Sequence, residues 1–98
     1  MIKVNLSKET IDVKGHAGFA KKGEDIVCAS VSTAVTMCIN QIELFDMLDH
    51  IEFILDEGNF HLHIVNNNDV LEKIIKNLVY TLSDLEITYP KYIKISEN

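Results

Sequence analysis

Residues Gly15 to Ser32 read GHAGFAKKGEDIVCASVS, and the period of the apolar positions changes across them. Before this stretch Ile2, Val4 and Leu6 alternate with Lys3 and Asn5, and Ile11 and Val13 flank Asp12, the two-residue period of half-buried strands. After it Val27, Val31, Ala34, Val35, Cys38, Ile42 and Phe45 recur at three- and four-residue steps, the apolar stripe of an amphipathic helix. The stretch is therefore a strand-to-helix connection. It holds three of the four glycines, Gly15, Gly18 and Gly23, together with Lys21 and Lys22, so residues 15–24 are expected to form a flexible loop. Asp25 is placed to cap a helix running to about Leu48.

Working outward, the first two strands form a hairpin around Ser7, Lys8 and Glu9. Downstream, IEFILDEGNFHLHIV reads as a second hairpin, with a turn at Glu57, Gly58 and Asn59 and with Phe60, Leu62 and Ile64 facing inward. Asp69 and Glu72 have the spacing of a capping pair, and Leu71, Ile74, Ile75, Leu78, Leu82 and Leu85 supply the stripe of a second helix. The tail KYIKI after Pro90 is a last strand. The expected fold is α+β in the order ββαββαβ, with five strands packed against two helices.

Composition narrows the function. Ninety-eight residues with 47% apolar content suit one domain over 1–98. No apolar run is expected to approach the roughly 20 residues of a membrane span, and MIKVNLSKET lacks the pattern of a signal peptide, so a cytoplasmic location without a membrane partner is expected. All nine basic residues are lysines, scattered through a chain of net charge −6. The absence of arginine argues against direct nucleic-acid reading and against a cysteine phosphatase, and an acidic surface suits a basic partner. Cys28 and Cys38 share one helical segment about 15 Å apart, too far for a disulfide, and no CxxC pair suggests zinc.

The loop also carries a chemical constellation. With Asp25 as cap, Cys28 is the third helical residue, where free amides and the helix dipole favour a thiolate. A cysteine nucleophile needs that thiolate, an imidazole to protonate the leaving amine, and amide donors for the oxyanion. His16 can supply the second, the backbone amides of Cys28 or Ala29 the third, and Ser32, one turn below Cys28, a supporting hydrogen bond. Taken one at a time and by spacing alone, Cys28, His16 and Asp25 read more readily as a core thiol, a surface loop histidine and a simple helix cap, and Ser32 also fits a serine bonded back to its own helix.

GHAGFAKKGEDIVCASVS resembles the signature of the ribosomal-processing cysteine proteases called Prp. The matching elements are Gly-His-Ala at 15–17, a short glycine-bearing loop, and Gly-x-Asp-Ile-Val-Cys-Ala at 23–29 followed by Val31 and Ser32. Ser30, where alanine is common, is the one departure. The resemblance implies an endopeptidase that removes the N-terminal extension of a large-subunit ribosomal protein precursor, of the L twenty-seven type, after an aromatic pair. It places the catalytic histidine at His16, the nucleophile at Cys28, and supporting motif residues at Asp25 and Ser32. It also implies a homodimer, a flexible loop over the site, and no metal or cofactor.

His61 and His63 share a strand face at the spacing of a metal pair, but without a third ligand nearby they read as an exposed or interface face. Cys38 reads as core, His50 as a cation at a helix end, and the carboxylates from Asp46 to Glu57 as a solvated face. Tyr80, Tyr89 and Tyr92 read as core or interface, with one of them a candidate for an aromatic substrate pocket. The rival function is a non-enzymatic ribosome-associated or peptide-binding module. A thiol-dependent acyl or disulfide transferase ranks lower for want of a resolving cysteine.

Overall fold

The strand alternation becomes one buried sheet face. A computed structural model describes residues 1–98, in the order β1 (Ile2–Leu6), β2 (Thr10–Lys14), α1 (Ile26–Leu44), a 3-10 turn (Leu48–His50), β3 (Ile51–Asp56), β4 (Asn59–Ile64), α2 (Asp69–Thr88) and β5 (Ile93–Glu97). This is the expected α+β fold, a five-stranded sheet in the order β3-β4-β2-β1-β5 with two helices. Val4 stands opposite Val13 and Val13 opposite Phe60, so Ile2, Val4, Leu6, Ile11, Val13, Phe60 and Leu62 all turn to the helices. β5 joins β1 in parallel, Ile2 beside Ile93, and every other pairing is antiparallel.

The helices close that face. Val27, Val31, Val35, Cys38, Ile39 and Ile42 of α1 and Leu71, Ile74, Leu78 and Leu82 of α2 are buried in the same core as the strands. Each fully buried leucine or isoleucine contributes about 1.5–3 kcal/mol relative to exposure. By length and mean hydropathy of 1.3, α1 is apolar enough to cross a membrane, contrary to the sequence expectation; in the fold its valine and isoleucine stripe packs into the domain core. β3 lies at the sheet edge, where only Ile51 is buried, and Phe53, Ile54 and Leu55 stay in solvent. At the opposite edge the Ile95 amide donates to Glu86 Oε2 at 2.7 Å, which covers an otherwise open strand amide.

Two helix boundaries differ from the sequence reading. α1 ends at Leu44 rather than near Leu48, because Asp46 takes φ +56 and the chain reverses there. The amides of Asp46 and Met47 then donate to the carbonyls of Glu43 and Ile42, the crossed pair of a Schellman closure. At α2 the cap is Asn68, not Asp69: its Oδ1 accepts from the Leu71 amide at 2.9 Å while Asp69 is the first helical residue. The Asn68 amide group also reaches Met47 Sδ at 3.3 Å, a tertiary contact that ties this cap to the end of α1.

Candidate active site

The loop after β2 is fixed at its start by the turn between β3 and β4. The Gly15 amide donates to the Gly58 carbonyl at 3.0 Å. The exposed imidazole of His16 then lies against Gly58, where a β-carbon would come within 2.9 Å of Nε2. Gly58 has φ +70, so the turn favours glycine, and any side chain there would have to push the exposed His16 ring aside.

At the far end Asp25 caps α1 as expected. Its Oδ1 accepts from the amides of Val27 at 3.0 Å and Cys28 at 2.9 Å, and its Oδ2 accepts from the Phe19 amide at 3.1 Å. The Cys28 amide, ahead of that of Phe19, holds the Asp25 carboxyl below its ordinary value of 3.8, against an opposing desolvation. Cys28 is the third residue of α1 and half-buried, and its Sγ accepts from the Ala17 amide at 3.1 Å. One carboxylate and one sulfur thus bind the loop backbone to the start of the helix.

These residues border a single open pocket of about 560 Å³, which His16, Asp25, Cys28, Ala29 and Ser32 line together with Gly15, Gly18 and Gly23. The fold therefore brings the residues selected from the loop motif to one place. No hydrogen bond joins the His16 ring to the Cys28 sulfur, whose partner is the neighbouring amide of Ala17. Ser32 is exposed and makes no hydrogen bond to Cys28; the back-bonded serine is Ser30, to the Ile26 carbonyl at 2.7 Å. The amides of Cys28 and Ala29, the expected oxyanion donors, are both engaged by Asp25, the first by Oδ1 and the second by the carbonyl at 3.0 Å.

Two features were not selected from the sequence. Asn59 contributes to the pocket wall an Oδ1 that is buried without a hydrogen-bond partner. Phe19, midway along the loop, packs edge-on against Tyr92 at 5.1 Å and Tyr89 at 5.8 Å between ring centroids. No local pattern signals either one, since both depend on strands and helices remote in sequence.

The remaining candidates lie elsewhere. Cys38 is buried in the core, and desolvation pushes its thiol up to about 11. His61 Nδ1 meets Asp12 Oδ1 at 2.6 Å across the β2–β4 ladder, and His63 stands between Glu9 and Glu52 at 3.8 and 3.9 Å. No group of three or more His, Cys, Asp or Glu side chains is placed to hold a metal ion. His50 Nδ1 is bonded to the Asn66 carbonyl at 2.7 Å.

A thiol, an imidazole and backbone donors around one open pocket suit nucleophilic attack on a carbonyl. Comparison with known proteins points the same way. The ribosomal processing cysteine protease Prp of Mycoplasma genitalium is 31% identical over 99% of this chain and 96% of its own, and that of Staphylococcus aureus strain Mu50 is 31% identical over 97% and 93%. The crystal structure of the S. aureus protease with a covalently linked product peptide superposes with a TM-score of 0.91 at 26% identity, over 100% of both chains. The same protease with a substrate peptide gives 0.85 at 25% identity, again over 100% of both. A family model described as Cysteine protease Prp matches residues 1–94, so a thiol pocket read from geometry and a family read from sequence coincide: the chain belongs to the Prp family of cysteine proteases.

Proposed function

We propose that the protein is an endopeptidase that removes the N-terminal extension of a large-subunit ribosomal protein precursor, of the L twenty-seven type, cutting after an aromatic pair. The observation that supports it most is the pocket shared by His16 and Cys28, with the Ala17 amide on the sulfur. The S. aureus protease of the same fold has been solved with substrate and product peptides.

In this reading the Cys28 thiolate attacks the carbonyl before the scissile bond, and the electron pair of the carbonyl moves to its oxygen. Collapse expels the amine, which takes a proton from His16 and leaves a thioester on Cys28. Water then gives its proton to His16 and its oxygen to the thioester carbonyl, which releases the extension and expels the Cys28 thiolate. The developing oxyanion needs a donor. The Ala17 amide already points at Sγ, whereas those of Cys28 and Ala29 must first release Asp25. Asp25 positions the nucleophile by fixing the helix start, and Ser32 supplies polar wall. The net charge of −6 suits a basic ribosomal substrate.

The reading includes a cytoplasmic, homodimeric enzyme whose flexible loop, residues 15–24, covers the site. The exposed apolar edge at Phe53, Ile54 and Leu55 supports the dimer, and light scattering tests it. Incubation with the extended precursor is expected to remove a mass ending at the aromatic pair. Cys28→Ala and His16→Ala should each lower kcat/KM roughly a thousandfold or more. An undiminished rate in either variant overturns the assignment of that residue. Tight binding of the precursor without cleavage by the intact protein favours the peptide-binding module instead.

A further inference from the structure

One polar atom at the wall of the pocket has nothing to bond. Asn59 lines that pocket with His16 and Cys28, and its Oδ1 is the only buried side-chain oxygen or nitrogen of the chain without a hydrogen-bond partner. Such an atom has given up its water and gained nothing in return, which destabilises the fold unless a partner arrives. The backbone around it is fixed. Asn59 opens β4, paired with Lys14 of β2 on one side and Asp56 of β3 on the other. The Gly15 amide donates to the Gly58 carbonyl at 3.0 Å, and His16 follows Gly15 just as Asn59 follows Gly58, so one bond ties both residues to the rim of the pocket. The imidazoles of His50, His61 and His63 each have a hydrogen-bond or carboxylate partner, whereas that of His16 has none. Of its ring atoms, Nε2 comes nearest to where a β-carbon of residue 58 would stand, at 2.9 Å, with Cε1 at 3.1 Å and Cδ2 at 3.6 Å. Nε2 is thus the nitrogen turned to the strand connection that Asn59 follows.

An imidazole that serves a thiol works best with a third group behind it. A fixed acceptor on the nitrogen remote from the sulfur selects the tautomer that can take the thiol proton and then supports the imidazolium. We infer that Asn59 is the positioning residue of the site: its Oδ1 accepts from Nε2–H of His16 as the ring turns toward Cys28, which leaves Nδ1 to receive the proton of the thiol. The inference rests on the proteolytic reading above and adds to it the group that orients the base. The charged and titratable side chains that share the pocket with the ring are Lys22, Asp25, Cys28, Asp56 and Glu57. Asp25 is engaged by the amides of Phe19, Val27 and Cys28, and Glu57 by Lys22 at 3.3 Å. Asp56 is exposed and already solvated by water, so the unpaired amide oxygen of Asn59 gains more from the ring than that carboxylate does.

Asn59→Leu, close in size, removes the unpaired acceptor, and Asn59→Asp keeps it. Because the free protein loses no hydrogen bond in Asn59→Leu, its urea midpoint is expected to equal or exceed that of wild type, the opposite of what a structural role predicts. On the extended precursor, the same variant should lower kcat roughly 10- to 100-fold and leave KM within about twofold. The alkaline limb of its kcat profile should move to lower pH, since the imidazolium has lost its acceptor. Asn59→Asp should recover kcat and move that limb to higher pH, because a carboxylate favours the charged ring. Undiminished kcat in Asn59→Leu overturns the inference, and so does a loss that Asn59→Asp fails to recover. A second measurement needs no substrate: the pH dependence of iodoacetamide alkylation at Cys28, read by intact mass, should shift to higher pH in Asn59→Leu. Superimposable alkylation profiles overturn the inference. If the wild-type protein cleaves no precursor, the proteolytic reading fails while the alkylation profiles still decide whether Asn59 acts on His16.

Discussion

Gly58 lies directly against the His16 imidazole: a β-carbon at residue 58 would stand 2.9 Å from Nε2 and 3.1 Å from Cε1, so the ring must shift to admit one. The turn also holds φ +70, so Gly58→Ala adds backbone strain to the clash. Strain alone is expected to cost about 1–2 kcal/mol in urea unfolding. The displaced ring should lower kcat/KM by roughly 10- to 100-fold, well beyond what partial unfolding at ambient temperature removes. Equal activity in wild type and variant, at matched folded fractions, would show that the ring position is irrelevant.

Asp25 links stability to acid. Its carboxyl titrates below 3.8 in the fold, so its contribution is fully present above that value and is lost as pH falls through the lowered folded value. Asparagine keeps an oxygen for the cap but has no proton to take up. Asp25→Asn should therefore lose less stability than wild type between about pH 5 and pH 2. Asp25→Ala, which strips the partner from the amides of Phe19, Val27 and Cys28, should be weakened at every pH. Urea midpoints across that range make the comparison.

The two thiols should separate cleanly in an alkylation experiment. Burial holds Cys38 protonated, with its thiol pushed up to about 11, whereas Cys28 lines the open pocket. Native protein near pH 8 is expected to take up one equivalent of iodoacetamide, and Cys28→Ala none on the same timescale. Both thiols should react in denaturant. Intact mass reads the stoichiometry directly, and modification of Cys38 in the native protein would contradict its core position.

Asp46 occupies a left-handed position that glycine fills without a Cβ penalty, and it places a carboxylate just past the negative end of α1. Asp46→Gly should raise stability by about 0.5–1 kcal/mol, and thermal unfolding checks the sign.

At the start of α2, removal of the true cap should outweigh removal of its neighbour. Asn68→Ala loses the bond to the Leu71 amide and is expected to cost about 1 kcal/mol. The exposed Asp69, which contributes only through the helix dipole, should cost a few tenths when changed to Ala. The reverse order would restore Asp69 as the cap.

The sequence discloses whatever is governed by short-range period. Ile2, Val4 and Leu6 announce their buried face, and Asp25 announces the start of α1, because each follows from neighbours two to four positions away. The end of α1 is concealed because an aspartate, rather than glycine, adopts the reversing conformation at residue 46. The cap of α2 is concealed for a different reason. Asn66, Asn67, Asn68 and Asp69 are all competent side chains, and the choice among them involves a contact to Met47 on another element. For the site, the loop motif names Cys28 and His16, whereas the Ala17 amide on the sulfur and the tyrosines beneath Phe19 arise only when distant segments meet.

The parallel seam between β1 and β5 has a consequence for biosynthesis. Ile2 and Ile93 are near opposite ends of the sequence, so closing that seam confines a long stretch of chain and carries a large entropic penalty. Cys28 is synthesised well before Tyr89 and Tyr92, which lie just ahead of the strand that completes the sheet. The nascent polypeptide therefore carries its thiol well before it owns the aromatic floor beneath Phe19, and assembly of that floor must await the arrival of residues 89–97.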